Sequence, residues 1–378
     1  MIVNVASRTA LLCATLLLVS CGPRENAAVP SKGTVAAGSK PTPPLRLDIP
    51  EALPERLKDL DLKSMEAGEL FDLARLAADK KDYKIAATAQ YWYVQKARSG
   101  QYDLACYLAQ SGKTDPAFYW LQLAALEEGV DTRHAQRDED LVSLRADRRW
   151  SQVLRFMEDC NRYFETADLA RTVLILPKDY KKMEAIPAVV WMHGFGSKPE
   201  DLINESVQKW ADTLHVALIG VSATQPRGPH SFVWAEEGER NIKRLQTAMA
   251  EVSDRVTIEK GKVILMGFSQ GAQVGLEIAV QSPEEFAGAI VLSPGATLNL
   301  DKFKPAALMA RRGFVVSCGA QEHPGNVQLA SQDADWLRRA KAKLIYKLYP
   351  GVSSHSFPAD FNERFPEWVE FILKASGG

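Results

Sequence analysis

Ser269 stands in "GFSQG", Gly267 to Gly271, and a serine framed in this way is a candidate nucleophile. Its hydroxyl can attack a carbonyl carbon once a base takes its proton and a third group orients that base. The flanking residues decide how such a hydroxyl would be presented. Val263, Ile264, Leu265 and Met266 are an unbroken apolar run, which fits a strand covered on both faces. From Gln270 onward, Ala272, Leu276, Ala279 and Val280 recur at helical spacing. Ser269 therefore falls on the corner between strand and helix, where Gly267 and Gly271 remove side chains that would collide. This is the pattern of a nucleophile elbow, which holds one hydroxyl in a strained, exposed position.

A serine on such an elbow works with an acid and a histidine that follow it in the chain. Of the six histidines only His323 and His355 do. His355 lies in "YPGVSSHSFP", a loop between the last strand-like segment and the final helix, and is the candidate base. His323 is too close to the candidate acid to serve. That acid is Glu322, four residues after Cys318 in "CGAQEHPGN", where it can accept the imidazole N–H and fix the tautomer. Asp333 and Asp335 are the fallbacks, expected as solvated charges on the next helix. Two backbone donors should receive the oxyanion: the N–H of Gln270 at its helix N-terminus, and that of Phe195 after "AVVWMHG". His193, in the same turn, is expected to brace the loop. In "QPRGPHSFVWAEEGERN" the aromatics Phe232 and Trp234 are candidates for the walls of a substrate pocket.

The segments that must position these groups run from Thr166 to the end of the chain. "RTVLILP", "IPAVVWMHG", "HVALIGVSA", "KVILMGFS", "FAGAIVLSP", "RRGFVVSCG" and "AKLIYKLYPG" read as strands, with amphipathic segments between most of them. The alternation predicts a doubly wound, largely parallel α/β sheet whose sites lie at the carboxyl ends of its strands. Residues 60–165 read instead as helical and alanine-rich. Ala74 and Ala86 in one part, and Ala105 and Ala117 in another, share a spacing of 12 at an offset of 31 residues. "LVSLRADRRWSQVLRFME" reads as one closing amphipathic helix. Residues 21–59 are rich in Pro, Gly, Ser and Ala at their start and read as a flexible tether.

Residues 1–20 place Arg8 before the apolar run "ALLCATLLLV", too short to span a membrane and suited to a signal-peptide core. The formal net charge of -1 gives no electrostatic reason to expect nucleic acid as a partner. The scattered histidines and the lack of a C-x-x-C pair predict no metal. Cys106, Cys160 and Cys318 are an odd set in the folded part, and are expected chiefly as buried free thiols.

Three resemblances follow from these residues. "LVSC", Leu18 to Cys21, resembles the lipobox of bacterial lipoproteins, which implies lipidation of Cys21 and a cell-envelope protein anchored in the outer membrane. The alanine pairs resemble tetratricopeptide-type repeats, which implies a groove for a protein partner; a small helical domain that only packs on its neighbour is the alternative. "HGFGSKPEDL", "GFSQGAQVGLEIA", "CGAQEHPGN" and "PGVSSHSFP", in that order, resemble the carboxylesterase and acyl-protein thioesterase branch of the α/β-hydrolases, with echoes of polyhydroxybutyrate-depolymerase-like esterases. That resemblance implies Ser269 as nucleophile, His355 as base and Glu322 as orienting acid, acting on a small or lipid-like ester or thioester without a cofactor. Relatives usually carry His-Gly-x-x-Asp at the acid strand, so Glu322 is a departure whose extra methylene the backbone must absorb. A peptidase of the same fold and a non-catalytic, lipid-anchored scaffold are the rival expectations.

Overall fold

The computed structural model describes residues 39–204, 206–295 and 300–377. The leader, Cys21 and the first part of the tether lie outside the described residues. All seven strand-like segments join one sheet: β1 (Thr172–Ile175), β2 (Ala185–Met192), β3 (Ala217–Val221), β4 (Thr257–Phe268), β5 (Phe286–Leu292), β6 (Gly313–Gly319) and β7 (Lys343–Tyr349). Their order is β7-β6-β5-β4-β2-β3-β1, parallel except for the edge strand β1, which runs antiparallel to β3.

The continuous apolar runs are explained by two cores, one on each face. Val190, Met192, Leu265, Ala289 and Val291 pack into one core, and their neighbours Val189, Trp191, Ile264, Met266 and Ile290 into the other. Side chains alternate across a strand, so a strand buried on both sides has no polar positions to show. Each fully buried aliphatic side chain contributes about 1.5–3 kcal/mol relative to an exposed one.

The helical part holds α1 (Ala67–Asp79), α2 (Tyr83–Ala97), α3 (Gln101–Gln110), α4 (Thr114–Glu127) and α5 (Trp150–Thr166). The sheet is covered by α6 (Val207–Leu214), α7 (Gly238–Val252), α8 (Gln270–Gln281), α9 (Pro324–Arg339) and α10 (Phe361–Gly377). Leu245 of α7, Leu276 of α8 and Leu337 of α9 pack on one face, while Trp210 of α6 and Trp368 of α10 pack on the other.

The offset read in the helical part reappears in its turns. Lys81, after α1, has φ 59°, and Gly112, after α3, has φ 77°. Asp82 N donates to Ala77 O at 2.9 Å, and Lys113 N donates to Leu108 O at the same 2.9 Å. Ala74, Ala86, Ala105 and Ala117 are fully buried, as close helix approach requires. The closing helix is shorter than expected. Val142–Arg145 is a separate turn, and α5 starts at Trp150. The break falls at Asp147, whose Oδ1 accepts from Arg149 N at 2.8 Å, taking the chain through a turn before the helix begins. Cys106, Cys160 and Cys318 are free and buried.

The segment expected as a pocket loop folds into a hairpin, Gln225–Gly228 against Ser231–Val233, and it joins the two parts. A Cβ on Gly129 would lie 2.3 Å from Arg227 O, and one on Gly228 would lie 2.3 Å from Glu127 O. Glycine thus lets backbone meet backbone at this contact. His230 N adds a hydrogen bond to Glu127 O at 3.1 Å, and Lys198 Nζ one to Ala97 O at 2.9 Å.

Candidate active site

Ser269 lies between β4 and α8 with φ 55° and ψ -121°. A non-glycine residue at such a φ is strained, and the strain persists only where the surroundings over-determine it. Here they do. Ser269 N donates to Leu292 O at 3.0 Å, tying the corner to the end of β5. A Cβ on Gly267 would sit 2.2 Å from Gly271 O, and one on Gly271 would sit 2.1 Å from Met192 O. Neither position can carry any side chain, which is why this corner reads Gly-x-Ser-x-Gly.

Glu322 and His355 meet at the same edge of the sheet. His355 Nδ1 is 2.9 Å from Glu322 Oε2. The Glu322 side chain is fully buried, while the imidazole side chain is 39% exposed and so open to an incoming molecule. Glu322 Oε1 accepts from Ser293 Oγ at 2.7 Å and from Gly319 N at 3.0 Å, and Oε2 accepts from Asn326 Nδ2 at 3.2 Å. Burial alone would raise this carboxyl's pKa. The donors His355, Gly319, Ser293 and Asn326 outweigh it and bring the group down to about 2. Glutamate fits because its side chain folds back over the end of β6: a Cβ on Gly319 would come within 3.0 Å of Glu322 Cγ. The longer side chain is accommodated by a glycine beneath it.

The imidazole lies over the Phe268 ring, centroids 4.8 Å apart, and Phe357 stacks on that same ring at 4.9 Å. A point at the absent Cβ of Gly295 is 2.6 Å from Ser269 Oγ and 3.5 Å from His355 Cε1. Hydroxyl and ring therefore flank one small space, although they do not form a direct hydrogen bond. Such contacts are commonly loose until substrate binds. Gly295 leaves that space open, since any side chain there would fill it.

The loop after β2 passes beside the hydroxyl. A Cβ on Gly194 would be 3.4 Å from Ser269 Cβ. The next residue, Phe195, has an exposed side chain. Among the described residues no protein acceptor takes the N–H of Phe195 or of Gln270. His193 braces this loop. Its Nε2 accepts from Ala223 N at 3.1 Å, so the proton is on Nδ1, which donates to Gly194 O at 2.8 Å. Complete burial lowers its pKa to about 4 and keeps it neutral.

Phe232 and Trp234, expected as pocket walls, are buried in the core instead. They support the loop from behind: Trp234 Nε1 donates to His193 O at 2.8 Å, and both rings pack on the His193 imidazole. The Gln270 side chain is engaged there too, accepting from Trp234 N and donating to Trp234 O, each at 3.1 Å. Ser293, Gly295 and Asn326 were not singled out in the sequence. Asn326 could have been, since it stands one helical turn after Glu322.

The fallback acids are elsewhere. Asp335 pairs with Arg338 on the surface of α9. Asp333, expected to be solvated, is buried and accepts from Gln273 Nε2 at 2.6 Å. Burial, only partly offset by that donor, raises its carboxyl to about 7. A raised folded-state pKa means that the native state holds the proton more tightly. The associated stability is present below the unfolded value and is lost as pH rises toward 7. Asp333→Asn removes that ionisation, so its melting temperature at pH 8 should exceed the wild type's by at least roughly 2–4 °C, with a smaller gap at pH 5 that closes only below the ordinary carboxylate value. Equal shifts at both pH values in thermal melts would refute this.

A mostly parallel sheet in this order, with helices on both faces and a serine elbow after its central strand, is the α/β-hydrolase fold. The model of the phospholipase/carboxylesterase family matches residues 235–364 of the 378, a span that includes Ser269, Glu322 and His355. That match supports a hydrolase acting on esters. Among solved structures the chain is similar to an uncharacterized protein from Bacillus cereus ATCC 10987, at 19% identity over 82% of this chain and 99% of that one, TM-score 0.44. It is also similar to a Bacillus cereus carboxylesterase, at 16% identity over 56% and 99%, TM-score 0.43. A phospholipase/carboxylesterase from Dyadobacter fermentans is similar at 21% identity over 53% and 95%, TM-score 0.38.

Proposed function

We propose that the protein is a serine hydrolase that cleaves carboxylic esters or thioesters through an acyl-enzyme. Ser269 Oγ attacks the carbonyl carbon while His355 Nε2 takes its proton. The N–H groups of Phe195 and Gln270 receive the oxyanion, and His355 returns the proton to the departing alcohol or thiol. Water, deprotonated by the same imidazole, then releases the acid and regenerates the hydroxyl. The observation that carries this reading is the buried, ionised Glu322 bonded to His355 Nδ1. It leaves Nε2 as the ring's acceptor, on an imidazole whose Cε1 borders the same small space as Ser269 Oγ.

A fluorophosphonate probe tests it. The folded wild type should be labelled stoichiometrically on Ser269, and p-nitrophenyl esters should give a burst of phenolate. A folded protein that takes no label would favour the non-catalytic scaffold. We also propose that Cys21 carries a lipid anchor in the outer membrane and that the helical part binds a partner. No helix among the described residues is long and apolar enough to cross a membrane.

A further inference from the structure

Between the helical part and the sheet lies a cleft of about 690 Å³ with Phe195 in its lining. Asp131, Thr132, Arg133 and Glu165 come to it from the helical part, and Thr224, Arg227 and Arg240 from the other wall. The loop after β2 links the two places: Phe195 lines the cleft, and Gly194, the residue before it, is against the serine.

Arg227 is the distinctive group. Its guanidinium carbon lies 5.5 Å from the centre of the Phe195 ring. It is half-buried, and no carboxylate comes within ion-pair distance of it among the described residues. The other charges have partners or reach solvent. Asp131 accepts from Arg133 N and His134 N, Arg240 pairs with Glu237, and the Arg133 and Glu165 side chains are exposed. A guanidinium is rarely withdrawn from water without an anion. Burial lowers the pKa of this one, with Asp131 supplying only a partial counterweight. Its carbonyl and Cβ are what a Cβ on Gly129 would meet, so the helical part holds the backbone from which the side chain leaves.

We propose that this cleft is a substrate subsite in which Arg227 binds an anionic group, a carboxylate or a phosphate, on the ester to be cleaved. The inference rests on the hydrolase reading and gives the helical part a role in selecting the substrate. A planar guanidinium held over an aromatic ring keeps its edge donors available to such a group as a pair.

Matched esters differing by one carboxylate test it. p-Nitrophenyl butyrate against p-nitrophenyl hemisuccinate places the charge on the acyl side. Phenyl butyrate against the butyrate ester of 4-hydroxybenzoate places it on the alcohol side. Arg227→Gln should lower the anionic-to-neutral ratio of kcat/KM by 10–100-fold in one of these arms, and Arg227→Lys should restore part of it. The arm that responds identifies which side of the ester enters the cleft. Loss of both members in equal measure, or an unchanged ratio in both arms, overturns the proposal. Should wild-type protein take no fluorophosphonate, the hydrolase reading fails by itself. Calorimetry with monomethyl succinate then tests the cleft separately, with affinity at least 10-fold weaker in Arg227→Gln expected and equal affinity fatal.

Discussion

Replacing Ser269 with Ala is expected to lower kcat on any ester substrate by roughly 10⁴–10⁶-fold, because the covalent route then has no nucleophile. What remains should be the small rate supported by the oxyanion donors and by binding alone. Fluorophosphonate labelling should vanish with it. A second variant separates chemistry from folding. The backbone at Ser269, with φ 55° and ψ -121°, is costly for any residue with a Cβ and easy for glycine. Ser269→Gly should be equally inactive yet more stable than Ser269→Ala by about 1–2 kcal/mol in denaturant unfolding. That difference would show that the elbow stores strain to present its hydroxyl. Retention of more than a hundredth of wild-type activity in both variants would remove Ser269 from the mechanism.

Much of the fold was legible because its signals are local. Seven strand-like segments became seven strands, and alternation between two cores explains why the central ones are almost continuously apolar. The glycines around Ser269 were readable for a similar reason, since each is required by a backbone contact that no side chain can share. What could not be read depends on contacts distant in the chain. Phe232 and Trp234 have the composition of pocket walls, but His193 and Gln270, far from them in sequence, draw them behind the loop. Asp333 sits among polar neighbours in the chain, and only the packing of α9 against Gln273 of α8 shows that it is buried. Gly295 carries no signal of its own in the sequence, because its role comes from the hydroxyl and imidazole on either side of it. The cleft at Arg227 needed both parts of the molecule, and the small residues that join them, Gly129 and Gly228, carry no motif.

Glu322→Gln is the sharper test of how the imidazole is used, and a loss in kcat of about 10³–10⁴-fold is expected. The two side chains have nearly the same shape, so packing over Gly319 should survive. The change is in what the group offers to His355. The carboxylate can only accept, so Nδ1 must carry the proton and Nε2 is free to take the one from Ser269. An amide whose oxygen still accepts from Ser293 Oγ and Gly319 N must turn its NH₂ toward Nδ1. Nδ1 then accepts, the proton moves to Nε2, and the base is lost without any displacement of the ring. A neutral Gln also cannot stabilise the imidazolium that forms as Ser269 attacks. Because the carboxyl titrates near 2, well below its ordinary value, Glu322 stays ionised across the working range. The stability it contributes is present above the ordinary carboxylate value and is lost only as pH falls toward 2. The acid limb of the wild-type pH–rate profile should therefore report another group. If kcat for Glu322→Gln stayed within 10-fold of wild type, Glu322 would have no part in orienting the base, and the reading of the site would have to be built on Asn326 or on no third group at all.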